Sequence, residues 1–531
     1  MQATNTTYDM VIIGGGCVGS GIALDATLRG YTVLLLEQDD FASGASSKSS
    51  KLVHGGIRYL EKAIKQMDKS HYDLVKEAIN ERAIFLNNAP NWAKKLKINI
   101  PIYSYLKLIY TYFGLFIYKL MAKNRSFWKN SFMAKVKAVL LFPNIKQENL
   151  KGFLSFYDGT FLDSKMVISL LQTAVLKGAI VKNYCEVNEF LYDEHHKISG
   201  VKYFDKIQNK SCEINSKVVV NATGANGDTL RRKDDKNATE ILALSSGIHI
   251  VVSKEYLPSN EGILIPNTRD GRVIFILPYM NYCLIGTTDN KTLYEANPKP
   301  QEQEIEYLLT EVNNYFEKPL SKADILSSWS GIRPLINSHK KQTEQMVREH
   351  LILKSKNDLI SILGGKWTTY RKMAEDLVNF LIKNQLLKKQ KKCETKQYKL
   401  FGNEGNIKEL ETLLCVYAIS EKTKQSLKTL YGTSCIKVLN FANKTDDFEL
   451  IHPHLPYLKV EIAYCIKEEF VKKPIDFLAR RVGICFLDKK LALDCVDGVC
   501  EEMGKILFWD EARVKKEKIE CKESIFNYSL H

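Results

Sequence analysis

Apolar runs and glycine turns alternate at the start of the chain in the pattern of a βαβ unit. Residues 8–13 (YDMVII) form an apolar run typical of a buried parallel strand, and GGG follows directly. A helix is predicted over residues 20–29, ended by Gly30, and a second buried strand over 32–36 (TVLLL). The chain therefore begins with an α/β unit.

The remaining pattern predicts further units. A helix and a strand are predicted within 166–187, short strands at 218–221 and 359–363, and a helix from about 370 to 381. Between about 240 and 345, short strands separated by turn residues predict a mostly antiparallel inserted sheet. Residues 383–399 carry many lysines and few core-forming positions, which indicates a linker, and the remainder has helical periodicity.

Composition narrows the choice of partner more than the choice of fold. The chain has 531 residues and a net charge of +15, which suits nucleic acid, an acidic membrane surface or a phosphorylated substrate. Twelve cysteines without a CxxC pair predict reduced thiols in a cytosolic-facing compartment and no metal site. We expect neither a signal peptide nor a transit segment at the N-terminus. The most apolar stretch, 108–118, falls short of the roughly 20 residues of a spanning helix.

The glycine loop at 14–19 (GGGCVG) matches a dinucleotide-binding fingerprint. Gly14 would make the tight turn, Gly16 would let the backbone approach a pyrophosphate, and Gly19 would let the helix pack on the strand. Glu37 ends the second strand, where a carboxylate accepts hydrogen bonds from the adenosine ribose and disfavours NADP. These features leave FAD and NAD equally open.

Three later segments favour a nucleotide ligand: two carry paired glycines beside reactive side chains, and the other is a strand end of the kind that packs on a bound nucleotide. They are 46–59 (SSKSSKLVHGGIRY), 221–224 (NATG) and 364–369 (GGKWTT). Paired glycines let backbone approach a flat ligand, and the His and Arg of the first segment offer a proton-transfer group and a permanent cation. Thr368 or Thr369 is predicted to cap the helix that follows the third segment.

On these residues the sequence resembles the FAD-dependent glycerol-3-phosphate dehydrogenases, which belong to the glycine-oxidase-like (D-amino acid oxidase-like) flavoprotein superfamily. The matching stretches are 11–25, 46–60, 221–225, 247–252, 331–335 (GIRPL), 348–350 and 364–371. The resemblance runs from about residue 8 to 380 and continues more loosely through 476–481 (DFLARR). No calcium-loop pattern occurs in the tail, and Asn226 stands where the family usually has Trp.

The resemblance implies an α/β fold: a Rossmann-like FAD-binding domain with an inserted, mostly antiparallel substrate domain and a C-terminal helical domain. The predicted FAD-binding domain is discontinuous. Its parts are 1–95, 160–240 and 345–385; the substrate domain covers 96–159 and 241–344, the linker 386–404, and the helical domain 405–531.

The implied activity is oxidation of sn-glycerol 3-phosphate to dihydroxyacetone phosphate, with FAD passing electrons to a membrane quinone. The expected location is cytoplasmic and peripheral on the inner membrane, against an anionic surface. No nucleic acid partner is expected, and a homodimer is allowed.

The family motifs also imply roles for single residues. Arg58 and Arg333 would bind the substrate phosphate with Lys366, because a phosphate dianion requires fixed cations. His54 or His249 would be the base, and the sequence does not decide between them. Tyr59 would either bind substrate or fill the core. The expected cofactor-binding residues are Gly14, Gly16, Gly19, Glu37, Ser46, Ser47, Ser50, Lys51, Leu52, Val187, Ala222, Gly224, Gly365, Lys366, Trp367 and Thr368.

Two questions remain open at this point. Residues 103–142 mix aromatics with lysines, which suits either docking in an anionic lipid interface or a partly buried helical hairpin. The alternative functions are an FAD-dependent amine or hydroxy-acid oxidase on the same scaffold and a non-catalytic nucleotide- or nucleic-acid-binding protein.

Overall fold

The computed structural model describes residues 7–56, 69–122, 131–337, 350–405 and 407–528. The strands are β1 Thr7–Ile13, β2 Val33–Leu36, β3 Leu52–Val53, β4 Ala93–Ile102, β5 Ser131–Ala134, β6 Gly152–Phe161, β7 Ile180–Lys182, β8 Cys185–Tyr192, β9 Ile198–Asp205, β10 Lys210–Asn221, β11 Leu242–Ser253, β12 Gly262–Ile265, β13 Ile274–Tyr279, β14 Tyr282–Gly286, β15 Asn290–Lys291, β16 Ser327–Ile336, β17 His350–Lys354 and β18 Ile360–Gly364. The α-helices are α1 Cys17–Leu28, α2 Lys69–Asn88, α3 Tyr105–Ala122, α4 Lys135–Leu141, α5 Asp163–Leu176, α6 Gly227–Asp234, α7 Glu302–Asn313, α8 Tyr370–Lys383, α9 Ile407–Leu414, α10 Glu421–Tyr431, α11 Cys435–Leu439, α12 Val460–Glu468, α13 Lys489–Leu507 and α14 Glu511–Ile525.

The first sheet has the strand order β17-β18-β10-β1-β2-β7, and β18, β10, β1, β2 and β7 run parallel. β1 lies in the middle, and its apolar side chains are buried on both faces. Met10 and Ile12 pack with α1, α5 and α8 on one side, and Val11 and Ile13 pack with β8 and β9 on the other. The predicted βαβ unit is confirmed. Parallel strands place their carboxyl ends at one edge of the sheet, which is where such folds bind ligands.

Several element bounds differ from the sequence prediction. α1 begins at Cys17 rather than at residue 20, directly after the glycine loop. The single strand expected within 179–187 is two strands, since a turn with Tyr184 at φ +58° separates β7 from β8. The short strand at 218–221 is the end of the longer β10, whose half-exposed first part pairs with β9.

The second sheet confirms the predicted insertion of mostly antiparallel strands. Its order is β15-β11-β14-β13-β12-β4-β6-β3, with β16 also paired to β11 and β5 to β6; β12 and β4 are parallel. β3 and the first residues of β4 belong to this sheet, although the sequence placed residues up to 95 in the FAD-binding domain. β11 and β16 pair along nearly their whole length, so their side chains share a fixed register.

The C-terminal helices are joined to the first domain by buried ion pairs. Asp40, which follows β2, accepts hydrogen bonds from Arg480 and from Arg481, the latter at 2.8 Å. Lys165 on α5 pairs with Glu469 at 2.7 Å. The predicted linker also packs on the first domain, for example through Asn88 Nδ2, which donates to the carbonyl of Thr395 at 2.8 Å.

Candidate active site

A cavity of about 1130 Å³ opens at the carboxyl ends of β1, β2, β10 and β18. Its walls come from all three parts of the chain: the first sheet, strands β11 and β16 of the second sheet, and the C-terminal segment around Arg480 and Tyr528. A cavity of this size at such a strand edge suits a large, partly apolar ligand.

The glycine loop forms one wall, and two of its glycines, Gly14 and Gly19, occupy places that a side chain could not. A Cβ on Gly14, which has φ +111°, would lie 2.6 Å from the carbonyl oxygen of Ala222. A Cβ on Gly19 would lie 1.9 Å from the carbonyl oxygen of Gly14, so Gly19 lets α1 approach β1 but does not itself line the cavity. Gly16 does line it, beside Ser46. The loop therefore leaves open backbone at the start of α1, as phosphate binding requires.

Glu37 stands at the end of β2 beside this loop. Its Oε2 accepts a hydrogen bond from the Gly15 amide at 2.7 Å, and its Oε1 accepts one from the Asp39 amide at 3.0 Å. Burial raises the pKa of the Glu37 carboxyl to about 7, although both amides lower it. Glu37 is thus placed to accept hydrogen bonds from a ribose.

His249 lies on β11, buried between the cavity and the ring of Trp329, on which it stacks at 5.3 Å between ring centroids. Its Nε2 is 2.8 Å from Ser50 Oγ, whereas its Nδ1 has no hydrogen-bond partner among the described residues. Burial, together with the charges of Arg333 and Lys51, holds the pKa of His249 well below its usual value. The imidazole is therefore neutral near pH 7 and able to accept a proton.

Arg333 on β16 reaches the same region of the cavity. Its Nη2 donates to Thr287 Oγ1 at 2.9 Å, and its Nη1 donates to the carbonyl of Thr288 at 3.1 Å. Asp289 lies 3.5 Å from Nη1, at the edge of ion-pair contact. The guanidinium is thus held in place from one side while the residue lines the cavity.

The segment after β18 supplies the opposite wall. Gly365, Lys366, Trp367 and Thr368 all line the cavity, and Trp367 Nε1 donates to the carbonyl of Ser46 at 2.9 Å. Thr369 takes the predicted N-cap position of α8, but its side chain makes no cap hydrogen bond: Thr369 Oγ1 donates to the carbonyl of Lys366 in the short 3₁₀ turn that precedes the helix.

Most of the other predicted residues also meet at this cavity. Ser46, Ser50, Leu52, His54, Val187, Ala222 and Gly224 line it. Ser47 and Lys51 do not line it: Lys51 is buried and pairs with Asp163 at 2.7 Å. Arg58 and Tyr59 lie outside the described residues.

Some cavity residues were missed by the sequence reasoning. Lys48 lies in the SSKSSK segment, and Arg480 in the DFLARR segment, yet neither received a role. Asp158 on β6 also lines the cavity. It forms an ion pair with Arg82 of α2 and accepts a hydrogen bond from the Gly55 amide at 3.2 Å. No local motif marks Asp158, because its partners come from other elements.

Comparisons with known proteins decide between the cofactors that the motif left open. Residues 9–371 match the family model described as FAD dependent oxidoreductase, and residues 393–514 match the C-terminal domain of alpha-glycerophosphate oxidase. The chain belongs to the FAD-dependent glycerol-3-phosphate dehydrogenase family.

Individual relatives agree with this membership. A mitochondrial glycerol-3-phosphate dehydrogenase of Arabidopsis thaliana is 37% identical, over 97% of this chain and 85% of its own. A probable glycerol-3-phosphate dehydrogenase of Encephalitozoon cuniculi is also 37% identical, over 98% and 86%. The crystal structure of the Bacillus halodurans glycerol-3-phosphate dehydrogenase with FAD has a TM-score of 0.79 at 29% identity, covering 99% of this chain and 96% of that one.

The cofactor is FAD, and the residues of the cavity fit it. The open glycine loop suits the pyrophosphate, and Glu37 suits the ribose. Two buried polar atoms, His249 Nδ1 and Asn226 Oδ1, have no partner in the part of the chain that the structure describes, and both belong to residues that line the cavity. Such atoms are costly unless a ligand or water satisfies them.

Proposed function

We propose that the protein oxidises sn-glycerol 3-phosphate to dihydroxyacetone phosphate and passes the electrons to a membrane quinone. The observation that carries this proposal is the meeting of His249, Arg333 and Lys366 on the cavity that also contains the glycine loop. Family membership supports the same reaction, and it speaks against the alternative of a non-catalytic nucleic-acid-binding protein.

Arg333 and Lys366 are the proposed ligands of the substrate phosphate, together with Arg58 from the family motif. A guanidinium offers two parallel N–H donors to phosphate oxygens, which fixes orientation as well as charge. The contacts of Arg333 with Thr287 and Thr288 hold its guanidinium before substrate arrives. Little ordering of this side chain is then needed on binding.

His249 is the proposed base. It is neutral, and its Nε2 contacts the hydroxyl of Ser50, a residue that lines the cavity. FAD, when bound, supplies the hydride acceptor. As the hydride leaves C2 of the substrate, the C2 hydroxyl loses its proton, and His249 Nε2 accepts it directly or through the Ser50 hydroxyl. His54 lines the cavity too, and we assign it to contact with the flavin.

Anaerobic titration of the FAD-loaded protein tests the reaction. We expect stoichiometric sn-glycerol 3-phosphate to bleach the oxidised-flavin absorbance and to yield dihydroxyacetone phosphate, whereas glycerol, glycine and sarcosine leave the spectrum unchanged. Bleaching by glycine or sarcosine but not by glycerol 3-phosphate would favour the amine-oxidase alternative.

The outer face of α3 is the proposed membrane surface. Leu106, Ile109, Phe113, Phe116 and Leu120 recur at three- and four-residue spacing, and all are exposed. On the other face, Leu115 and Tyr118 are buried. An exposed apolar stripe flanked by Lys107 and Lys119 suits an anionic bilayer interface.

This surface also lies beside the cavity. Residues 107, 110, 111, 113, 114 and 115 of α3 line it, so α3 lies between the flavin site and the proposed lipid face, and Phe113 borders both. A quinone that stays in the bilayer would thus approach the flavin along α3. None of the helices in the described ranges is long and apolar enough to cross a membrane.

Vesicle binding tests the membrane surface with variants outside the cavity lining. We expect Ile109→Glu with Phe116→Glu to abolish cosedimentation with anionic vesicles and reduction of quinone in them, while flavin bleaching by glycerol 3-phosphate persists. Val416→Glu with Phe508→Glu, two exposed apolar positions on the C-terminal part, is the matched control. Unchanged vesicle binding by the α3 variant would refute the assignment.

Location and assembly stay predictions. The Arabidopsis and bovine relatives are named as mitochondrial proteins, whereas the sequence predicted the cytoplasmic side of an inner membrane. Fractionation of the source cells distinguishes these compartments. Light scattering on the purified protein tests the homodimer.

A further inference from the structure

Lys48 is a buried lysine that lines the cavity, and within the described ranges no carboxylate forms an ion pair with it. Its side chain is 9% exposed and lines the cavity. Among the residues that the structure describes, none forms an ion pair or hydrogen bond with its amine. Lys51, three positions later, is buried as well but pairs with Asp163. Burying an ammonium without a partner is costly, so packing alone does not account for Lys48.

The charges around Lys48 leave its own charge unbalanced. Arg480, which lines the same cavity, is neutralised by Asp40 and Asp476, and Arg481 shares Asp40. Glu295, on the segment between β15 and α7, is too distant for an ion pair. Burial and the Arg480 charge lower the pKa of Lys48 to about 8, although Glu295 raises it. An anion entering the cavity would balance the charge of the ammonium and raise its pKa.

The position of Lys48 indicates which anion this is. Two residues earlier, Ser46 Oγ accepts a hydrogen bond at 2.9 Å from the backbone amide of Cys17, the first residue of α1. The Lys48 loop is therefore attached to the glycine loop, where the pyrophosphate is expected. On its other side the loop packs on Gly331, where a Cβ would lie 2.6 Å from the Lys48 carbonyl oxygen. The substrate phosphate already has Arg333 and Lys366.

We propose that Lys48 binds the pyrophosphate of FAD, adding a positive charge to the backbone amides of the glycine loop. Arg480 and its carboxylates form the adjoining wall, so that the C-terminal domain shapes the cofactor site. This inference rests on FAD occupying the cavity and is independent of which alcohol is oxidised.

Flavin release from the holoenzyme tests the proposal. Lys48→Met should raise the dissociation constant of FAD, measured from flavin fluorescence on dilution, by about ten- to a hundredfold, the usual range for a lost charge-assisted hydrogen bond. Lys48→Arg should stay within about threefold, because the charge remains. Lys356→Met, which removes a lysine that is mostly exposed, should match the wild type.

Two further readouts separate the competing explanations. At saturating FAD, the KM for glycerol 3-phosphate should be unchanged in Lys48→Met; a raised KM with unchanged FAD affinity would assign Lys48 to the substrate phosphate and overturn the proposal. Added FAD should raise the unfolding temperature less in Lys48→Met than in wild type. Wild-type-like FAD release in Lys48→Met would also overturn it, whereas flavin retained without bleaching by any glycerol phosphate would refute only the proposed reaction.

Discussion

A Cβ atom on Gly247 would stand 2.2 Å from Nη2 of Arg333, across the β11–β16 pair. Gly247 thus provides the space that the guanidinium occupies. If the guanidinium moved away from this space, it would lose its hydrogen bonds to Thr287 and Thr288. The proposed phosphate site therefore depends on Gly247, a residue with no side chain to bind phosphate.

Gly247→Ala should displace the guanidinium while the two strands stay paired. We expect the KM for glycerol 3-phosphate to rise about tenfold, since a shift of about 1 Å in a binding group is enough to impair catalysis strongly. FAD content should be unchanged. The control is Gly498→Ala on α13, where a Cβ would meet nothing within 4 Å. A wild-type KM in Gly247→Ala would show that Arg333 can move without loss.

Arg333→Ala should weaken substrate binding far more than FAD binding. Steady-state kinetics should show a KM raised by about a hundredfold, in keeping with loss of a charge-assisted phosphate contact. Flavin retained after gel filtration should equal that of the wild type. Arg269→Ala removes an arginine on the protein surface and serves as the control. Equal loss of flavin and substrate affinity would contradict the assigned role.

His249→Gln should lower kcat by about 10²- to 10⁴-fold, the usual contribution of a general base. Because burial holds the pKa of His249 well below its usual value, the wild-type kcat should not fall through protonation of this residue as the pH is lowered from 8 to 6.5. His195→Gln, at an exposed histidine, is the control. An unchanged kcat in His249→Gln would show that His249 is not the base and would favour His54.

FAD affinity should increase with pH between 6 and 7.5. The ribose hydroxyls donate hydrogen bonds to ionised Glu37, whose pKa in the unliganded protein is about 7. Protonated Glu37 must lose its proton for this, so binding weakens at low pH, by roughly eightfold over the range. Fluorescence titrations should show a flat dependence in Glu37→Gln and the wild-type slope in Glu189→Gln, a mostly exposed position. If Glu37→Gln keeps the wild-type pH dependence of FAD affinity, another titrating group causes that dependence.

Asp40→Asn should destabilise the junction between the first domain and the C-terminal helices. The substitution leaves the buried guanidinium groups of Arg480 and Arg481 without their shared carboxylate, a change that typically costs about 3–5 kcal/mol. The free energy of unfolding in urea measures this loss. Glu302→Gln, which breaks a surface ion pair with Lys322, should leave it unchanged. Equal stability of both variants would mean that water or rearranged carboxylates replace Asp40.

Local patterns were sufficient for the first sheet and for much of the site. Strand β1, the glycine loop and Glu37 lie close together in the sequence. Neighbouring residues there meet the requirements of a tight turn and of a buried parallel strand. The same holds for the segment from Gly364 to Thr368, whose paired glycines mark close backbone approach. Family motifs then supplied His249 and Arg333, which the structure brings to one cavity.

Only the tertiary structure determines which partner each charged side chain contacts. Lys48 and Lys51 are indistinguishable in the SSKSSK segment. In the structure, however, Lys51 forms an ion pair with Asp163 of α5, whereas Lys48 lines the cavity. Asp40 and Arg481 are 441 positions apart and in direct contact. Hydrophobic period and turn chemistry act over a few residues, whereas the charge that a buried side chain meets depends on which distant elements pack beside it.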